Sequence, residues 1–186
     1  DVVQAGKSQI NEMVEKGLLE GPGTVFTRNR LAIMVPKDNK AGIHSIRDLG
    51  RAGVRIANPD PETEGIAKQI KEALRKAGGD QLAQEAYERK VRKGEAIITD
   101  IHHRQTPLWI LEGKIDAGVT WISEVKYQER IGHPITAVEI PEKENAQGEE
   151  AAAIVKGAKN RETAEAWLLF LHSSTARSIF EKYGME

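Results

Sequence analysis

Short runs of apolar and β-branched residues alternate along the chain with amphipathic stretches, and the joints between them carry Gly, Pro, Asn and Asp. Alternating strands and helices are typical of an α/β fold with parallel strands and right-handed crossovers. We therefore predict an α/β fold. The predicted strands are residues 30–36 (RLAIMVP), 54–57 (VRIA), 96–99 (AIIT), 117–121 (AGVTW), 136–140 and 151–155.

Helices are predicted where the apolar residues return at helical spacing. The longest, residues 65–76, should end at Gly78 and Gly79, because glycine readily ends a helix. Thr106 and Pro107 have the residue types of an N-cap and first helical position, and Ser173 is a second expected N-cap. The remaining predicted helices are residues 8–16, 123–130, 161–171 and 174–183, with a polar loop at 142–150.

Composition narrows the classes of function. The 186 residues include 27 Lys and Arg against 28 Asp and Glu, so no overall basic field favours a nucleic-acid partner. No apolar run approaches the roughly 20 residues that cross a bilayer. The chain has no cysteine, which excludes disulfides and thiolate chemistry. Its length suits one domain or two small ones.

Three loops follow predicted strands and lead into helices: residues 58–65, 100–106 and 121–124. Ligands of open parallel sheets bind beyond the carboxyl ends of the strands, where helix N-termini offer unpaired N–H groups. We therefore expect these loops to face one anion-binding cleft. In the second loop, Arg104 and a histidine could donate hydrogen bonds to an anion. Alternatively, His102 and His103 pack against the helix start, and Arg104 pairs with Asp100 or a nearby glutamate.

Three carboxylates, Asp60, Glu62 and Glu64, lie in the first loop. Helix capping is the favoured role, because negative side chains stabilise helix N-termini by roughly 0.3–1 kcal/mol each. If they pointed into the cleft, they would favour a cation or a metal oxyanion centre. Trp121 ends a buried strand, which is typical of a core residue, although its indole N–H could donate into the cleft.

Catalytic motifs are sparse. The adjacent histidines lack the spacing of a helical metal site, and neither HExxH nor GxSxG occurs. We therefore expect no enzyme activity, no cofactor and no metal. An enzyme that uses His102 or His103 as general base is the alternative, and it would need an orienting residue that the sequence does not reveal.

The order of residues from 26 to 65 resembles the middle of periplasmic molybdate-binding proteins of ABC importers. It contains an NRL strand, a VPKDN turn, a short helix ending in DL and a strand entering a DPE loop. DAGVTW at 116–121 is similar to the return strand of that family. Residues 151–184, ending in FEKYG, resemble its C-terminal strand and two helices.

The resemblance implies a type II periplasmic binding protein fold with mostly parallel sheets in two lobes, joined by crossover strands. The first lobe would comprise residues 1–30 and 123–186, and the second residues 31–122. The family has an N-terminal segment of two βα units ahead of the position matching Asp1. The first lobe is therefore expected to be incomplete at its N-terminus, and the chain could associate with itself.

By the same resemblance, the protein captures a small oxyanion, such as molybdate or tungstate, between the lobes. It would present the anion to a membrane permease, from the periplasm or as a tethered lipoprotein. The family's contacts carry over to Thr63, Glu64, Gly65, His103, Arg104 and Trp121. Trp121 replaces the family's usual tyrosine and the HHR loop is unusually basic, so a small organic carboxylate stays open as the ligand. A ligand-sensing domain of a transcription regulator is a further alternative.

Overall fold

The computed structural model describes all residues from 1 to 186. The chain forms two compact units. Unit 1 comprises Asp1–Asn29 and Gly148–Glu186, and unit 2 comprises Arg30–Gln147. The strands are β1 (Val2–Gly6), β2 (Thr24–Pro36), β3 (Ile56–Pro59), β4 (Ala96–Thr99), β5 (Ala117–Trp121), β6 (Ile135–Glu139) and β7 (Gln147–Ile154). The α-helices are α1 (Lys7–Glu15), α2 (Ile66–Gln84), α3 (Lys90–Arg92), α4 (Gln105–Leu111), α5 (Ile122–Arg130), α6 (Arg161–Leu171) and α7 (Ser174–Lys182).

The sheet of unit 2 has the strand order β6-β2-β5-β3-β4. Strands β4, β3 and β5 are parallel, so their carboxyl ends lie at one edge. Strand β2 runs antiparallel to both β5 and β6, with Leu31 opposite Trp121. The buried side chain of Asn145 bonds both the N–H and the C=O of Leu31, at 3.0 and 2.8 Å, and so satisfies the backbone where β2 enters this unit.

Both faces of the unit 2 sheet are buried, which explains the continuous apolar run in β2. Leu31, Ile33 and Val35 belong to one hydrophobic cluster, and Ala32 and Met34 belong to a second. Successive strand residues point to opposite faces, so a strand covered on both sides must be apolar at every position. The prediction of a buried strand at residues 30–36 is therefore confirmed.

Unit 1 is built on the antiparallel pair of β1 and β7, in which Val2 lies opposite Ile154. Ile10 of α1 packs with Leu19, Ala151 and Ala153 in its core. Ser173 caps α7, since its side chain accepts a hydrogen bond from the N–H of Ala176 at 3.1 Å. This N-cap was predicted and is confirmed.

Strand pairing and unit boundaries differ from the expectation in two respects. The sheets are mixed, because β1–β7, β2–β5 and β2–β6 are antiparallel whereas β4–β3 and β3–β5 are parallel. In addition, residues 123–147 lie with unit 2. They do so because β6 pairs with residues 32–36 of β2, which holds α5 and β6 on that sheet.

Three local predictions had different outcomes. The helix break is confirmed, since Gly78 and Gly79 are non-helical and Gly79 has a φ of 69°. The N-cap at Thr106 is wrong: Thr106 is buried within α4, which begins one residue earlier. The predicted polar loop also extends too far, because β7 already begins at Gln147, where Glu150 pairs with Gly6 of β1. Backbone pairing can therefore hold polar residues in a strand.

None of the helices is both long and apolar enough to cross a lipid bilayer.

An ion pair between Arg55 and Asp116, the residues directly before β3 and β5, leads to a stability prediction. Asp116 accepts hydrogen bonds from the guanidinium of Arg55, at 2.6 and 3.2 Å, and from its backbone N–H at 2.8 Å. Burial of this carboxyl acts to raise its pKa, but the bonds from Arg55 outweigh burial, so the pKa of Asp116 is lowered. The stabilisation is then present above the unfolded-state pKa and is lost as pH falls through the folded-state pKa.

We expect Asp116→Asn to lower the free energy of unfolding by about 1–2 kcal/mol at neutral pH, since charged hydrogen bonds at a partly exposed site are lost. The difference from the parent should shrink as pH falls below about 4, the ordinary pKa of an aspartate, because first the unfolded chain and then the folded carboxyl take up a proton. Urea unfolding at several pH values measures this. A difference that stays constant down to acid pH would contradict the ionised pair.

Candidate functional site

The parallel strands β4, β3 and β5 deliver the three predicted loops to one edge of the unit 2 sheet. The loop after β3 carries Thr63, Glu64 and Gly65, and the loop after β4 carries His103 and Arg104. Trp121 is the last residue of β5. The structure therefore brings all six predicted site residues to the carboxyl ends of neighbouring strands, as the topology required.

The Glu64 carboxylate joins the first two loops. One oxygen accepts a hydrogen bond from the Thr99 hydroxyl at the end of β4. The other accepts from the backbone N–H of His103 and lies 2.9 Å from Nδ1 of the same residue. The Glu64 side chain is only 7% exposed and that of His103 14% exposed. Glu64 is thus an internal acceptor for the hydroxyl of Thr99 and the N–H of His103.

Burial and hydrogen bonding act in opposite directions on the two ionisable groups of this pair. Burial acts to raise the pKa of Glu64, but the bonds from Thr99 and His103 outweigh it, so the pKa is lowered and the carboxylate is ionised at neutral pH. The pKa of His103 is lowered, mainly by burial and then by the adjacent His102, against the opposing charges of Glu64 and Glu124. His103 is therefore a neutral imidazole at neutral pH.

Hydrogen bonds within the second loop fix its shape. Oε1 of Gln105 accepts from the N–H groups of Asp100, Ile101 and His102 at 3.0–3.2 Å. Its amide nitrogen donates to Asp100 at 2.7 Å. These bonds explain why Gln105, and not Thr106, organises the start of α4.

The two histidines of this loop lie against each other. Their ring centroids are 3.9 Å apart. The exposed His102 accepts a hydrogen bond at Nδ1 from the N–H of Arg104, at 3.2 Å. His102 therefore contacts its neighbours in the loop, as the packing alternative held, but its ring is accessible from solvent.

An ion pair links the second loop to the third. Nε of Arg104 lies 3.4 Å from a carboxylate oxygen of Glu124, in the first turn of α5. The Arg104 side chain is 75% exposed and that of Glu124 is 10% exposed. Glu124 also accepts a hydrogen bond from Gln128 at 2.9 Å. Arg104 thus pairs with a glutamate, one of the two partners expected for it, and not with Asp100.

The other predicted contacts differ in exposure. Thr63 and Gly65 are exposed at the start of α2, where the first N–H groups of a helix have no helical partner. Trp121 is half-buried and packs against the main hydrophobic cluster of unit 2, as expected of a residue that ends a buried strand.

The favoured capping role of the carboxylates in the first loop is not observed. Gly65 is the N-cap of α2, and no side chain caps this helix. Asp60 instead accepts from the N–H of Glu62 at 2.8 Å, within the loop, and Glu64 binds the second loop. Asp60 and Glu62 also line a surface hollow of about 540 Å³ beside α2.

Sequence reasoning missed two residues of this site. The sequence indicates Thr99 only as a strand residue and does not single out Glu124, yet both are buried and hydrogen-bonded or ion-paired at the loops. A threonine that ends a strand before a polar loop is the one signal that could have indicated Thr99.

Glu64, His102 and His103 also bring possible metal-ligating atoms within 4.8 Å of one another.

Comparison with known proteins agrees with the mixed α/β fold. The whole chain, residues 1–186, matches the family described as bacterial extracellular solute-binding protein, and the chain belongs to that family. The resemblance to molybdate-binding proteins is also confirmed. Over 182 residues, which are 97% of this chain, the sequence is 23% identical to the molybdate-binding protein ModA of Mycobacterium tuberculosis. The chain spans 62% of that relative's length.

Solved structures confirm the fold. The sulfate-binding protein SubI from Mycobacterium tuberculosis matches with a TM-score of 0.81 and 20% identity, covering 100% of this chain and 68% of SubI. The periplasmic molybdate-binding protein of Azotobacter vinelandii matches with a TM-score of 0.75 and 15% identity, covering 100% of this chain and 78% of that protein. The expected periplasmic binding protein fold is therefore correct.

Glu64→Gln tests whether this carboxylate holds the loops together. We expect the variant to lose about 1–3 kcal/mol of unfolding free energy, because an amide nitrogen would face a donor in a buried position. The matched control is Glu62→Gln, an exposed glutamate in the same loop, which should change stability by less than about 0.5 kcal/mol. Equal stabilities of the two variants in urea unfolding would show that Glu64 does not join the loops.

Proposed function

We propose that this protein is the solute-binding component of an ABC importer and captures a small oxyanion of the molybdate, tungstate or sulfate type. Family membership supports binding of an extracellular solute. The names of a molybdate-binding relative and of a sulfate-binding structural neighbour support the class of anion. In this role the protein binds and releases its solute unchanged and catalyses no reaction.

The observation that carries the proposal is the linkage of three loops at one edge of the unit 2 sheet. The bonds of Glu64 to His103 and of Arg104 to Glu124 connect the loop after β3, the loop after β4 and the start of α5. Such a linked set of loops positions polar groups for a small ligand without requiring any of them to fold on binding.

Within this set, Arg104 is the proposed cationic contact. An ion pair whose arginine is 75% exposed, as in Arg104–Glu124, is worth only about 0–1 kcal/mol. The guanidinium can therefore exchange this partner, or share it, when an anion arrives, and it can bind two oxygens at once. Thr63 and the exposed N–H groups near Gly65 at the start of α2 would add neutral donors.

Glu64 and His103 have a different proposed role. The Glu64 carboxylate already accepts from Thr99 and from the N–H of His103, so these two donors are directed at Glu64. Glu64 therefore acts as a positioning residue that fixes the loop carrying Arg104. Trp121 would form an apolar wall at the end of β5, since its ring packs on the core.

The partners and the compartment follow from this role. A solute-binding component delivers its ligand to a membrane permease, which is the second proposed partner. The protein would act outside the cytoplasmic membrane, either free in the periplasm or held at the membrane as a lipoprotein.

Calorimetric titration of the metal-free protein with molybdate, tungstate, sulfate and small carboxylates tests the proposal. At least one oxyanion should bind tightly, and Arg104→Ala should weaken that binding at least tenfold, which equals about 1.4 kcal/mol. The melting temperature of the unliganded variant should stay close to that of the parent, because the Arg104 side chain is largely exposed and Glu124 keeps its hydrogen bond from Gln128.

The matched control is Arg92→Ala, an exposed arginine at the end of α3, which should leave anion affinity unchanged. If every oxyanion fails to bind the parent protein, the proposed class of solute is wrong. If Arg104→Ala retains affinity within twofold, the anion binds without this guanidinium.

A further inference from the structure

We propose that Glu64, His102 and His103 bind one divalent transition-metal ion of the zinc type. All three residues belong to unit 2 and lie at the carboxyl ends of β3 and β4. This inference goes beyond the proposed function, because metal binding at these side chains does not require the anion.

The distances carry the proposal. One ligand atom from each residue lies within 4.8 Å of the others. Zinc binds nitrogen and oxygen at about 2.0–2.2 Å, so two ligand atoms in a tetrahedral site lie roughly 3.3 Å apart. The Glu64 oxygen and Nδ1 of His103 are already 2.9 Å apart, and a metal ion would take the place of the proton between them. Only His102 must approach, and its exposed ring is free of the core.

The loop that carries the histidines is held in place before any ion binds. The side-chain oxygen of Gln105 accepts hydrogen bonds from the N–H groups of three successive residues of this loop, the last of which is His102. The N–H of His103 is fixed on Glu64, and Thr99 anchors the other oxygen of the same carboxylate. Ligands that are fixed by such supporting bonds lose little entropy when the metal binds.

The donor set selects the kind of metal. Two imidazoles and one carboxylate suit zinc, nickel and copper, whereas magnesium and calcium prefer sites made of oxygen alone. Three protein ligands leave a fourth tetrahedral position for water or a solute. The charges agree with a cation, since the carboxylates of Glu64 and Glu124 lie near His103 and the guanidinium of Arg104 is paired with Glu124.

Calorimetric titration of the chelator-treated protein with Zn²⁺, in a buffer that does not bind metals and without any anionic solute, tests the site. We expect one ion per chain, and no binding of Mg²⁺ under the same conditions. His102→Ala should weaken Zn²⁺ binding at least tenfold and leave the melting temperature unchanged, because this side chain is exposed. The control His44→Ala removes another exposed histidine of unit 2 and should bind Zn²⁺ as the parent does.

Two results would overturn the site. The parent protein could fail to bind Zn²⁺ at concentrations up to about 100 µM, which would mean a dissociation constant weaker than that value. Alternatively, His102→Ala could bind Zn²⁺ as tightly as His44→Ala, which would place the ion elsewhere. Both results concern the metal alone, so they are independent of the anion titration that tests the proposed function.

Discussion

The Glu64 carboxylate is the group on which the arrangement of the site depends. It accepts a hydrogen bond from the N–H of His103, which lies 39 residues later in the sequence, and another from the hydroxyl of the buried Thr99. A buried carboxylate is costly unless it is hydrogen-bonded, and here Thr99 and His103, in the neighbouring strand and loop, donate hydrogen bonds to it. The position of the loop after β4 is therefore set by a charge in the loop after β3.

The mixed sheet of unit 2 explains why that charge lies where it does. Because β4, β3 and β5 are parallel, each returns through a helix and ends at the same edge, which gathers three loops. Strand β2 runs the other way, so its residue Leu31 enters the sheet opposite Trp121 at that edge. The buried apolar run of β2 thus supports the same edge that presents the polar groups.

Much of this fold could be predicted from local sequence. Apolar runs indicated the central strands, the Gly78–Gly79 pair indicated the helix break, and Ser173 indicated a cap, because each depends on residues close in the chain. The gathering of the three loops was also predictable from the strand and helix order. The hydrogen-bond partners of the loop side chains were not predictable. Gln105, and not Thr106, bonds the backbone before α4, and Glu64 binds Thr99 and not the start of α2. Those outcomes depend on side chains that meet only after the sheet has formed.

Amide hydrogen exchange at His103 tests the central claim most directly. Its N–H should be protected in the parent protein and lose that protection in Glu64→Ala, while the amides of residues 31–35 in β2 stay protected in both. The N–H of His103 exchanging at the rate of an unprotected amide in the parent protein would contradict the account, because the loop would then not be held by the Glu64 carboxylate.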